Sequence, residues 1–444
     1  MKNLIETIKN IWAIEDLRMR ILNTLGFLLV YRLGSYVVLP GVDSAKLAAH
    51  AAEQGGLVGL INIFAGGAFG RAAIFGLGIM PYISASIVVQ LLGIAVPYFQ
   101  KLQKEGPSGQ KKIERITRIL TVFVTAFQAP GYIASQIAPY MGGPMGSFFY
   151  IRSTIILVAG TVFVMWLGEK ITDKGVGNGI SLIIMIGIIA RLPFALVAEF
   201  SSRVGAEGGG VIVFLVELVA LVLVVMATIL LVQGTRRIPV QFAKRIVGNK
   251  QYGGARQFIP LKVNAAGVMP IIFAQAIMFL PLTLAGFSNS ATLTGIVGTF
   301  SDIGGFWYNL VFGLMIVAFT YFYTAVIINP TQMAEDMKRN GGYVPGVKPG
   351  KKTAEYIDSV MSKITLPGSV FLAFIAIMPA MAMKFNVDNQ FSRFYGGTSM
   401  LILVGVMMDT LQQIESHLLM RHYDGLMKTG RIKGRTSLSG ATAA

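Results

Sequence analysis

The chain has 444 residues, of which 54% are apolar and only 13% charged, with a mean hydropathy of +0.65. A soluble surface cannot be dressed with about half the usual share of charge, and a disordered chain would be poor in apolar residues, so both classes are excluded. The absence of cysteine removes disulfides, thiolate metal sites and cysteine nucleophiles, and the net charge is +17.

Residues 1–20 (MKNLIETIKNIWAIEDLRMR) read as an amphipathic segment on the cytoplasmic side and not as a cleavable signal peptide. Ten apolar runs follow, each near the ~20 residues a helix needs to cross ~30 Å of hydrocarbon. They cover 21–39, 74–96, 116–136, 151–170, 176–191, 211–233, 265–286, 307–329, 364–383 and 397–414, with 415–444 as a tail. The fifth is short and ends at Arg191-Leu192-Pro193. An even number of spans places both termini on one side. The expected fold class is therefore an all-α, polytopic membrane protein.

Residues 42–73 are too long and too apolar for a simple loop between the first two runs. The stretch GLVGLINIFAGGAFGRAAIFGLG (56–78) is helix-forming but glycine-rich, and it abuts IMPYISASIVVQLLGIAV (79–96), which is a full span alone. Non-helical backbone at membrane depth is tolerated only inside protein or beside water, so the short piece is predicted to fold back into a cavity. It is either a fixed packing element or a moving part. In the second span Ile79 and Ile83 share a helical face, with Ser84, Ser86 and Gln90 on neighbouring faces and Pro81 between them. Such a pattern serves a permanent helix contact or a face that separates reversibly, and periodicity does not choose.

Charge placement orients the chain. The N-terminal segment, the even-numbered loops and the tail hold 30 of the 38 Lys and Arg residues but 13 of the 21 acids, so that face carries the whole excess of +17. Short cytoplasmic loops collect Lys and Arg, which makes this the cytoplasmic face. Two of its loops run to about 30 residues. Residues 234–262 carry seven basic side chains and no acid, and 330–363 place Lys338, Arg339, Lys348, Lys351 and Lys352 around the turn YVPGVKPG (343–350). Contact with anionic lipids explains basic loops in general. Their length and β-forming content suggest structured projections that dock an acidic partner, a protein or ribosomal RNA.

Catalytic patterns are missing. The three histidines fall outside the apolar runs, and HExxH, GxSxG and GxxxxGK[ST] do not occur. The ionisable residues within or at the end of spans are Arg32, Arg191, Glu217 and Asp409. Arg32, placed near mid-span by these boundaries, is the best foothold for a solute transporter, since such proteins keep charges along the substrate path. A structural pair or a snorkelling side chain is the better explanation of it. A membrane scaffold without a pore is a third reading.

Several ordered stretches carry a resemblance over essentially the whole chain: FAGGAFGRAAIFGLGIMPYISASIVVQLL (64–92), KEGPSGQKKI (104–113), MWLGEKITDKGVGNGISLII (165–184), IPLKVNAAGVMPIIFA (259–274), NPTQMAEDMKRNGGYVPGVKPGKKTAEYID (329–358) and FYGGTSMLI (394–402). The sequence resembles the SecY family, the channel-forming subunits of the bacterial Sec translocase. That likeness implies a non-enzymatic, cofactor-free channel for unfolded polypeptides in the cytoplasmic membrane. It would also release nascent membrane helices sideways into lipid. Two inverted halves, 21–200 and 201–414, would surround an hourglass pore.

The likeness further implies a pore ring of Ile79, Ile83, Ile184, Ile272 and Ile402. A plug at 57–72 would include Ile61, Asn62, Phe64, Gly66, Gly67, Phe69 and Arg71. The lateral gate would lie between spans 2–3 and 7–8, with Ser84, Ile87, Gln128, Asn264, Ile277 and Leu280. The basic loops would meet the SecA motor ATPase and the ribosome through Arg236, Arg237, Lys244, Arg245, Lys250 and Lys348, the last standing where relatives usually have arginine. SecE and SecG, signal sequences, nascent chains and anionic lipids complete the implied partners.

Overall fold

A computed structural model describes residues 12, 14–43, 47, 62, 64–138, 146–205, 209–242, 245–247, 250–252, 256–285 and 304–428. A helix stands at each of the ten expected positions: α1 Glu15–Gly34, α2 Met80–Ala95, then α3 Pro97–Lys104, α4 Pro107–Tyr132, α5 Ser147–Lys174, α6 Gly179–Ile189, continued by α7 Leu192–Val204, α8 Gly210–Gln233, α9 Met269–Ala285, α10 Phe306–Ile327, α11 Pro330–Arg339, α12 Lys351–Lys384, the short α13 Asn389–Ser392, and α14 Gly397–Lys428. Among the described residues, five helical stretches are long and apolar enough by themselves to cross a membrane. These are Ser147–Lys174, Gly179–Val204, Gly210–Gln233, Phe306–Arg339 and Lys351–Lys384. Side chains such as Phe123, Phe127, Ile212, Leu223 and Leu230 stand outward and exposed. Apolar surface of this extent is stable only against lipid or a partner.

Several boundaries differ from the expectation. The first helix takes in residues 15–20 and stops at Gly34, so Arg32 lies in its last turn and not at mid-span. The second span begins at Met80, since 65–79 is a run of turns, and Pro81 suits a helix start because its missing N–H has no intrahelical partner there. The fifth continues past Arg191 to Val204 in α7, because Pro193 falls in the first turn of a new helix, where proline is tolerated. The ninth starts earlier than expected, at Lys351, and the tenth reaches Lys428 in the tail.

The two long basic loops fold into one body. β1 (Thr235–Phe242) pairs antiparallel with β4 (Arg256–Lys262), Ile238 facing Ile259, and its far end pairs with β5 (Gly342–Tyr343) from the second loop. A separate hairpin joins β2 (Arg245–Val247) to β3 (Lys250–Tyr252). Alternation along β1 buries Ile238 and Val240 and leaves Arg236, Arg237 and Pro239 exposed. The buried face meets Leu261, Met337, Val344, Ile357 and Met361, so the sheet rests on α11 and the base of α12.

The end of α7 and the start of α8 are tied to the α12–α14 connection by a buried charge cluster. Arg203 donates from Nε to Glu199 (2.8 Å), and from Nη2 to Glu217 (2.5 Å) and the Asn386 carbonyl (2.8 Å). Glu199 accepts the Asp388 N–H at 2.7 Å, and the Tyr395 hydroxyl donates to the Glu217 carbonyl at 2.7 Å. Burial pushes the Tyr395 phenol above its ordinary range, and the two carboxylates push it further, so it remains a donor. Removing one member of such a buried set leaves stranded charge. Arg203→Gln is expected to destabilise the protein by about 3–5 kcal/mol, read as a lowered thermal-unfolding midpoint of the detergent-solubilised chain. An unchanged midpoint would show that the cluster does not hold α7 and α8 to the α12–α14 connection.

Candidate functional site: a sealed waist beside a closed seam

The residues after α1 return into the protein. Leu39 N–H bonds the Ala72 carbonyl (2.9 Å), and Ile74 N–H bonds Val37 (2.8 Å), which fastens 72–74 to the end of the first helix. Asn62 closes the turn from inside, its carbonyl accepting Gly67 N–H (2.7 Å) and its Oδ1 accepting Gly70 N–H (2.9 Å). The Tyr132 hydroxyl donates to the Phe69 carbonyl at 2.5 Å, and the two rings pack with centroids 4.5 Å apart. Ala65, Ala68, Phe69, Ala72, Ala73 and Leu77 are all buried against Leu39, Tyr132 and Leu157. Of the expected plug, Asn62, Phe64, Gly66, Gly67, Phe69 and Arg71 are therefore in one folded-in segment. Ile61 lies outside the described residues. The segment was expected to be a half-helix, yet 65–79 is a chain of turns. Gly66, Gly67, Gly78 and Ala72 adopt left-handed φ of 61°, 87°, 54° and 49°, which a right-handed helix cannot contain.

Arginines back the Gly66–Gly67 turn. Arg32 Nη1 and Arg71 Nη2 each donate to the Gly66 carbonyl at 3.3 Å, and Arg71 lies 4.2 Å over the Tyr36 ring. A Cβ on Gly67 would collide with the Arg191 guanidinium. Arg32 thus holds a backbone turn near a helix end, and Glu217 is engaged by Arg203. Neither keeps the transporter foothold the sequence offered. Gly67→Ala is expected to cost about 1–2 kcal/mol for the left-handed backbone alone. It should loosen the turn and raise the resting ion leak in planar bilayers several-fold. A leak equal to wild type would mean the turn contributes nothing to the seal.

The isoleucines converge. Ile79, Ile184 and Ile402 are buried in one apolar cluster with Phe64, Phe75, Ile188 and Val406, and Ile83 packs against it. Ile83 and Ile272 both pack against a second cluster formed by Ile87, Ala266, Phe273 and Tyr323. Ile83 therefore touches both groups. Local structure places these side chains: Asn178 caps α6, its Oδ1 accepting Ile180 and Ser181 N–H at 3.1 and 3.2 Å, and Gln413 on α14 accepts Gly177 N–H at 2.9 Å. These contacts fix α6 against α14, and with them Ile184 and Ile402.

The seam between α2 and α9–α10 is closed by aromatic packing and one polar bridge. Phe273 lies 5.7 Å from Phe319 and 5.8 Å from Tyr323, centroid to centroid. The Tyr323 hydroxyl donates to Gln90 Oε1 at 2.8 Å across the seam. Of the expected gate residues, Ile87 sits inside this packing. Ser84 donates within its own helix to the Met80 carbonyl (3.1 Å), and Gln128 stands exposed on α4. Asn264 keeps a buried Oδ1 with no hydrogen-bond partner, Ile277 is exposed, and the Leu280 side chain lies outside the described residues. Phe273, Phe319 and Tyr323 were not singled out from the sequence. Their only signal was the i, i+4 spacing of Phe319 and Tyr323, which any packed helix can show.

On the body formed by the two basic loops Arg236, Arg237 and Lys348 are exposed, and the Lys348 carbonyl accepts the Thr353 hydroxyl at 2.9 Å. Lys244 lies outside the described residues. Arg245 and Lys250 stand on the β2–β3 hairpin, with side chains outside the description. Among the described residues no group of acids and histidines is placed to hold a metal ion.

Comparison with known proteins places this arrangement. A translocase subunit SecY of Thermotoga maritima is 40% identical over 97% of this chain and 99% of its own length, and that of Streptomyces coelicolor is 42% identical over 93% and 97%. Among solved structures, one described as a protein conducting channel superposes with a TM-score of 0.65 at 16% identity, covering 94% of this chain and 95% of that one. Sec61 from a canine ribosome-channel complex gives 0.62 at 15% identity over the same shares. The family profile named SecY matches residues 73–411, and this chain belongs to the SecY family.

Proposed function

We propose that this multi-pass membrane protein is a protein-conducting channel, not an enzyme, whose resting pore is shut by an isoleucine waist and the folded-in segment behind it. The observation that carries the reading is the burial of Ile79, Ile184 and Ile402 with Phe64 in one cluster, joined through Ile83 to Ile272. Branched aliphatic side chains offer water no hydrogen bonds, so a narrow ring of them dewets and stops ions. The same ring packs around any extended polypeptide without reading its sequence. Cofactors have no part in this, and chain movement would be driven from outside the subunit.

The lateral gate is the seam of Ile87, Phe273, Phe319 and Tyr323, with Gln90 bridging to Tyr323. A signal sequence or nascent membrane helix entering there replaces aromatic contacts with its own apolar surface, at ~25 cal/mol per Å². Ser84, Gln128, Asn264, Ile277 and Leu280 would line the path once the helices part. The joined basic body, with Arg236, Arg237, Lys244, Arg245, Lys250 and Lys348, would face the cytoplasm and receive the ribosome and the SecA motor. SecE, SecG and anionic lipids of the cytoplasmic membrane would surround the two halves, with both termini inside. Support for this orientation is the one-sided excess of basic residues.

Tyr323→Phe tests the gate. An interhelical hydrogen bond in a membrane is worth ~0.6 kcal/mol, so its loss should favour opening about threefold. Translocation of a substrate with a weakened signal sequence into proteoliposomes should rise accordingly. A solute transporter would show no such passage, and an unchanged yield would remove Tyr323 from the gate.

A further inference from the structure

Away from the waist, a pocket opens between α9, α10, α12 and the start of α14. It encloses an empty space of about 490 Å³, part of it open to solvent, and is lined by Gln275, Tyr308, Asn309, Arg393, Thr398 and Ser399 among others. Among the described residues no carboxylate lines it.

Arg393 is the unusual member. It is only 9% exposed, and its Nε has no hydrogen-bond partner. The carboxylate whose charge reaches it is Asp388, which uses its Oδ1 to cap the Gln390 N–H at 2.8 Å. A buried guanidinium with an unpaired donor is costly unless something negative sits beside it. The pocket also meets the N-terminus of the 32-residue helix α14, at Gly397, Thr398 and Ser399. The first N–H groups of a helix have no intrahelical acceptor, and the helix dipole adds positive potential there. Gln275 Nε2 donates to Thr398 Oγ1 at 3.1 Å, which ties α9 to this terminus.

Guanidinium, helix N-terminus, hydroxyl and amide donors around one cavity are the chemistry that holds a tetrahedral oxyanion. We propose that this pocket binds a phosphate group, either free phosphate or the headgroup of a phospholipid, with Arg393 as its principal charge. The ligand neutralises Arg393 and bridges α9, α10, α12 and α14 on the C-terminal side of the seam.

The test uses the purified full-length protein. In one arm inorganic phosphate is titrated against chloride at constant ionic strength while thermal unfolding is followed. In the other, native mass spectrometry counts phospholipid retained from nanodiscs containing phosphatidylglycerol. Wild type should show a saturable rise in midpoint, one retained phospholipid, or both. Arg393→Gln should weaken whichever is seen by about tenfold or more, and Arg393→Lys, which keeps charge without the planar fork, by less. A phosphate response with no retained lipid identifies free phosphate as the source; retained lipid that phosphate does not displace identifies the headgroup. Absence of both in wild type, or equal responses in wild type and Arg393→Gln, overturns the proposal. Because Arg393→Gln keeps a polar side chain of similar reach and removes a buried charge whose Nε has no partner, it is expected to fold.

Discussion

Deletion of residues 64–70 should raise the ion conductance of the resting channel on the order of tenfold, measured in planar bilayers without a translocating chain. The segment contributes Phe64 to the same buried cluster as Ile79, Ile184 and Ile402, while Phe69 and the alanines fill the space against Tyr132 and Leu157. Removing it takes apolar bulk from one side of the waist and lets water approach the ring. The isoleucines remain, so the pore should still narrow and the leak should be intermittent, not a steady open current. Conductance equal to wild type would mean that the ring seals unaided, and the plug assignment would fail. Loss of the Asn62 and Tyr132 contacts also frees backbone groups, so the folded yield of the deletion must be checked beside the leak.

Joining the seam covalently should have the opposite and larger effect on transport. The chain has no cysteine, so Ile87→Cys with Phe273→Cys introduces the only two thiols. Both positions lie in the packed cluster that closes α2 on α9 and α10. Bridging them with a short, disulfide-containing linker should abolish secretion of a signal-bearing substrate and insertion of a membrane helix. Reduction of the linker should restore both. The reversal separates a blocked gate from a damaged fold, since a misfolded channel would not recover. Undiminished transport through the bridged protein would show that polypeptide does not need this seam to open.

How far the residues foretold this arrangement differs from element to element. Spans were legible because hydrocarbon demands a long apolar helix, and a helix stands at each expected position. Their ends were less legible. Where Gly34 ends α1, or where Pro193 restarts a helix, the outcome depends on what the neighbouring backbone can bond, and hydropathy carries no such term. The re-entrant segment was expected from its glycines and apolar length, but its turns were not, since left-handed glycines at 66 and 67 gain their meaning from Arg32, Arg71 and Arg191 behind them. The seam between α2 and α9–α10 was the least legible. Periodicity left the face of Ser84, Ser86 and Gln90 open between a permanent contact and a reversible one; in the structure Ser84 bonds its own helix, Gln90 meets Tyr323, and Phe273 packs beside them.

The sequence by itself determined that this is a polytopic membrane protein with its basic face on one side. Those properties are sums over composition and order, and no contact between distant residues is needed to read them. Tertiary structure alone decided that Ile79, Ile184 and Ile402 share one apolar cluster, linked through Ile83 to the one that holds Ile272, that two basic loops share one sheet, and that Arg203 reaches the Asn386 carbonyl of the α12–α14 connection. Each of these joins residues far apart along the chain. Which of many apolar or charged side chains become neighbours is fixed by how helices pack, a three-dimensional outcome that no local pattern encodes.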